Sequence, residues 1–129
     1  MIRFAVSISV DEAAVKLIAA IAAYPMGLVA HANGQANCAK KGMTVPADQV
    51  LEVFRPDYAV KVWAADKSAG IDIPLRIHLY EADGKTWVAY RTASEVFRPY
   101  ANVQLDAVGA ELDLIFNQLL AALDAWKLP

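Results

Sequence analysis

The chain has a single cysteine, Cys38, among its 129 residues. No internal disulfide can form, and a reducing compartment fits that usage. Charge of one sign is also missing. The 12 Lys and Arg are set against 14 Asp and Glu, giving a net charge of −2 with no basic stripe, which argues against nucleic acid as the main partner. No apolar run reaches the roughly 20 residues that a bilayer span needs. The most apolar stretch, "AAVKLIAAIAAY", is interrupted by Lys16 and stopped at Pro25. The first residues alternate in polarity and do not form the unbroken apolar segment of a signal peptide. His31, His78 and Cys38 lie at none of the spacings that hold metals, and neither a glycine-rich phosphate loop nor a GxSxG elbow is present. The expectation is a soluble, cytoplasmic protein, with no membrane or nucleic-acid partner and no metal or cofactor.

What the chain does have is apolar surface. Hydrophobic residues make up 57% and charged residues 20%, so a compact globule is expected and disorder is excluded. The length suits one domain, residues 1–129, with a core that needs no disulfide or metal. The apolar surplus points to a homodimer, whose interface would absorb it.

Periodicity divides the chain into alternating elements. Ile2, Phe4, Val6, Ile8 and Val10 alternate with small or polar residues, predicting a half-buried strand. "SVDE" at Ser9–Glu12 has capping-box form and opens a helix burying Ala14, Leu17, Ile18 and Ile21. Leu28 to Ala32 reads as a strand. Asn33-Gly34 turns the chain into a short helix closed by Gly42, and Gln49 to Phe54 reads as another strand. Asp57 is placed to cap a helix through about Ser68. Leu75–Glu81 and Thr86–Tyr90 flank "ADGK", whose Asp-Gly pair suits a tight hairpin. Thr92 and Glu95 form a second capping box. From Leu105 to Trp126, three-four spacing predicts one long closing helix over about 103–127. The fold class is α+β, with about five strands backed by helices.

The pentapeptide "EVFRP" occurs twice, at Glu52–Pro56 and Glu95–Pro99, 43 positions apart. The first copy ends a predicted strand and the second lies in or just after a predicted short helix. Neither brings matching neighbours along, so a duplication is not supported.

The stretches "SVDEAAVKLIAAI", "CAKKGMTVPADQVLEVF" and above all "GIDIPLRIHLYEADGKTWVAY" resemble a bacterial family, domain of unknown function 302. The resemblance covers roughly residues 5–92. It implies a compact α+β fold, often dimeric, with no established activity. It also implies two departures. Asn33-Gly34 stands where members commonly carry Asp-His, and Phe54-Arg55 stands where they tend to have Gly-Asn before a proline.

Hairpin register picks out the candidate site. With Asp83-Gly84 as turn residues, Tyr80 faces Trp87, His78 faces Ala89 and Arg76 faces Arg91. One face then carries Leu75, Ile77, Leu79, Val88 and Tyr90, and the other Arg76, His78, Tyr80, Trp87 and Arg91. Aromatic rings beside a histidine and two cations suit a small anionic or planar ligand. The same face would equally suit cover by a helix or a dimer partner. Asp72, in the loop before the hairpin and inside the best family match, joins it as a second-tier candidate. Arg55 and Arg98, each between a phenylalanine and a proline, would clamp an anion only if the fold brings them together. Cys38, inside its short helix, reads as packed and inert.

The preferred function is a non-catalytic, homodimeric module binding a small ligand or a protein through the polar-aromatic sheet face. The rivals are a small-molecule enzyme using Asp72, His78 or Tyr80 for proton transfer, and a structural or assembly protein.

Overall fold

In the computed structural model, which describes all of residues 1–129, one five-stranded antiparallel sheet is packed on one face by helices. The strands are β1 (Ile2–Val6), β2 (Gly27–Asn33), β3 (Asp48–Phe54), β4 (Leu75–Ala82) and β5 (Lys85–Tyr90). They lie in the order β1-β5-β4-β3-β2. The helices are α1 (Val10–Ala23), α2 (Gly34–Ala39), α3 (Pro56–Ala65), α4 (Ala93–Phe97) and α5 (Val103–Leu120).

Local chemistry sets most boundaries. Ser9 Oγ accepts from the Glu12 amide at 3.1 Å, and its hydroxyl donates to the Glu12 carboxylate. The serine cap expected from the sequence is thus present, with the Glu12 carboxylate bonded to the hydroxyl and not to the Ser9 amide. It also ends β1 early. The strand stops at Val6, because Val10 is already helical and buried. Thr92 caps α4 in the same way, accepting from the Glu95 amide.

Two other helix ends differ from expectation. Arg55, not Asp57, is the N-cap of α3, and Pro56 occupies its first turn, where a missing N–H costs nothing. Asp66 ends that helix and its carboxylate caps a 3-10 turn over Lys67–Asp72. The closing helix is α-helical only to Leu120 and continues as a 3-10 helix over Ala121–Trp126. Apolar spacing persists through that change of pitch, which is why periodicity alone ran the helix to 127.

The hairpin forms as its turn residues dictate. Asp83 and Gly84 have φ of 55° and 69°, the left-handed pair of a type I′ turn. Ala82 pairs with Lys85, Tyr80 with Trp87 and His78 with Ala89. The ladder ends at Ile77–Tyr90, so Arg76 and Arg91 lie beyond it and are not a registered pair.

Leu51, Val53, Leu75, Ile77, Leu79, Val88 and Tyr90 form one face of the sheet and join Leu17, Ile21, Leu105, Leu112, Leu119 and Leu123 in a single core. The opposite face is not covered in this way. Its Arg3 and Arg76 are exposed, and His78, Tyr80, Trp87, Asp48 and Glu52 are half-buried.

The "EVFRP" copies end in different structures. Glu52, Val53 and Phe54 belong to β3, whereas Glu95, Val96 and Phe97 are helical in α4. The shared pentapeptide has no shared fold.

Candidate functional site

The uncovered face is assembled from β1, β5, β4 and β3. Pairing Arg3 with Ala89 and Ala5 with Trp87 places β1 beside β5. Pairing Asp48 with Tyr80, Val50 with His78 and Glu52 with Arg76 places β3 beside β4.

Side chains then make a continuous polar-aromatic strip. His78 Nε2 lies 3.0 Å from each carboxylate oxygen of Asp48. Its ring stacks on Tyr80 with centroids 4.5 Å apart and planes at 24°. The Arg3 guanidinium sits over the Trp87 ring at 4.0 Å and reaches toward Tyr80 at 5.9 Å. Cation–π attraction and stacking hold these rings in fixed order. Trp87 is further tied by its Nε1, which donates to the Ala82 carbonyl at 3.1 Å. Arg3 covers one face of Trp87, so that face is not free to stack on a ligand.

Beside this strip, where β4 begins and β5 ends, lies a cavity of about 390 Å³. Asp72, Arg76, His78 and Arg91 line it together with Glu52 and apolar groups such as Ile73 and Val96. Four of the residues chosen from sequence therefore meet in one place. Tyr80 and Trp87 do not line the cavity, and His78 joins the two groups.

Charge within the cavity is uneven. Arg76 Nε donates to Glu52 at 3.1 Å, and His78 has Asp48. Asp72 accepts from the Tyr100 hydroxyl, a bond that holds the phenol above its usual range. Arg91, exposed, has no acidic side chain in ion-pair contact. The terminal amino group of Met1 is Glu95's direct partner, and with the more distant Arg91 and Arg98 it keeps that carboxylate below its usual range. Glu52 and Asp72 offset Arg76 and Arg91 in number, and Arg91 is the lining arginine left without an ion-pair contact.

The other candidates fall elsewhere. Arg55 makes a two-pronged pair with Asp57 at 2.6 and 3.1 Å, donates to the Pro25 carbonyl and stacks on Tyr58. Arg98 is exposed at the start of a 3-10 turn after α4. Arg55 is thus engaged by its own neighbours at the start of α3. Cys38 is free and half-buried. No three His, Cys, Asp or Glu side chains come together, and no helix is long and apolar enough to cross a membrane.

Sequence reasoning missed Arg3, Asp48 and Glu52, which need the β1–β5 and β3–β4 pairings. It also missed a polar chain under the sheet edge. His31 Nε2 lies 2.7 Å from Gln49 Oε1, and Gln49 Nε2 donates to Asp11 at 2.6 Å. Gln49 is only 3% exposed, so these two bonds satisfy a buried amide. The uninterrupted β alternation around Gln49 was the signal that it points inward.

An antiparallel sheet backed by helices on one face, with a polar-aromatic strip and a cavity at its open side, defines a two-layer α+β protein. The pattern of the family described as domain of unknown function DUF302 matches residues 2–125. The chain belongs to that family, and the likeness extends through most of the closing helix, well beyond residue 92. A crystal structure of an uncharacterized conserved DUF302 protein from Bacillus stearothermophilus is similar over 95% of this chain and 94% of that one, with a TM-score of 0.79 and 19% identity. At that identity the likeness shows the fold. No curated protein matches.

Proposed function

We propose that this protein is a non-catalytic, homodimeric binding module that takes a small anionic ligand at the open side of its sheet. The observation that carries the reading is the cavity of about 390 Å³ in which Arg91 has no acidic side chain in ion-pair contact while Arg76 and His78 already have theirs. That volume lies within the range of small-molecule pockets. Ile73 and Val96 supply apolar walls, and Arg91 supplies the charge that orients a carboxylate or phosphate. The His78–Tyr80 stack borders the opening and favours a planar body on the ligand. A concave site also suits a small molecule better than a flat protein surface.

Proton-transfer catalysis by Asp72, His78 or Tyr80 fits less well. A catalytic pair is normally shielded from water, yet the side chains of His78 and Asp48 are 42% and 49% exposed.

Titration with benzoate, a planar carboxylate, and with inorganic phosphate, followed by amide chemical shifts, tests the proposal. Benzoate is expected to shift Leu75–His78 and Ala89–Arg91. Arg91→Ala is expected to weaken binding by roughly ten-fold or more, the worth of a charge-assisted hydrogen bond. Absence of any localised shift with either probe would contradict the reading.

A further inference from the structure

The two edges of the sheet are treated differently. At β1 the chain's own last residues close the edge: the Ser7 amide donates to the Trp126 carbonyl at 2.9 Å, and the Leu128 amide to the Ala5 carbonyl at 3.0 Å. β1 also carries Arg3, a charge that discourages pairing. β2 has neither protection. Outside its ladder with β3, the hydrogen bonds of the chain leave the backbone of Leu28–His31 untouched. Its seven residues, "GLVAHAN", include no Lys, Arg, Asp, Glu or Pro, and Leu28 and Val29 are 37% and 58% exposed. A register shift between Leu28 and Ala30 is the one edge-guarding device present, and Ala30–Asn33 beyond it pair regularly.

We infer that β2 is the dimer interface, pairing antiparallel with β2 of a second copy so that two five-stranded sheets join into one. This rests on the homodimeric reading above and names the surface it uses. A row of backbone donors and acceptors otherwise left to water is a template that another strand fits. Pairing across a two-fold axis sets a segment against itself, so any charge in it would meet its own like. β2 carries no such charge. By register with Glu52 and Val50, Ala30 and Ala32 point to the open side, where their small side chains let two strands approach. Joined edge to edge, both copies keep the cavity at β4 and β5 open. A face-to-face dimer would bury it.

Light scattering after gel filtration reads the outcome. The wild-type chain is expected at twice 14.0 kDa, and Ala30→Lys/Ala32→Lys, with two exposed positions changed, at the mass of one chain with an unaltered circular dichroism spectrum. Benzoate binding is expected to survive in that monomer. A wild-type monomer, or a dimer that persists in the double variant, would overturn the inference. Tyr80→Asp separates the two readings: if it alone dissociates the dimer, the open face is the interface and the ligand reading fails with it. If β2 variation alone dissociates the dimer but no probe binds, the interface stands and the ligand reading falls.

Discussion

Arg55 and Asp57 show how one side chain's surroundings fix its role. The first copy of "EVFRP" puts Arg55 next to a carboxylate two residues on and a ring three residues on, so its donors are taken. Hydrogen bonding to Arg55 holds Asp57 below the usual carboxylate range. A carboxylate with a depressed folded value contributes stability that is present above its unfolded pKa and lost as pH falls through the folded one. Urea midpoints of wild type and Arg55→Met are therefore expected to differ at neutral pH and to converge in acid. Midpoints that stay parallel would contradict this. Tyr100 works in the opposite sense. Its hydrogen bond to Asp72 raises the phenol, so the contribution is present below the unfolded tyrosine value and lost as pH rises toward the folded one. Alkaline difference spectra are expected to show Tyr100 titrating late, a step missing from Tyr100→Phe. The Tyr100 bond was not legible from spacing, because Asp72 and Tyr100 meet only through the packed chain.

Elements were legible where their signals are local. The Ser9 and Thr92 hydroxyl caps and the Asp83-Gly84 turn each appear as the residues predict, since each is complete within a few positions. Gly84 has open space where a Cβ would lie, so Gly84→Ala tests backbone strain alone. It is expected to cost about 1–2 kcal/mol, read as a lower urea midpoint without a change in slope. Gly109 tests packing. A Cβ there would stand 3.1 Å from the Ser94 Cα where α5 crosses α4, and Gly109→Val is expected to destabilise by about 1–3 kcal/mol through overpacking. Boundaries set by competition were less legible. β1 gives way to a helix cap after Val6, and α5 tightens to 3-10 geometry at Ala121 although its apolar spacing continues.

At the scale of the whole molecule, the sheet's two faces divide core from site, and its two edges divide closed from open. The half of the candidate site on β4 and β5 was legible because a hairpin's register follows from its turn. Arg3, Asp48 and Glu52 were not, because β1 and β3 reach their neighbours through long-range pairings that no local pattern encodes. The same pairings bring Asp72, Arg76, His78 and Arg91 to one cavity and leave β2 at the rim. Native mass spectrometry of freshly purified protein, compared with the denatured mass, tests the homodimeric binding reading most directly. The account predicts a dimer carrying a small additional mass that denaturation releases and that Arg91→Ala lacks. A bare single chain would contradict it, and a bare dimer would move the protein from ligand binding to assembly.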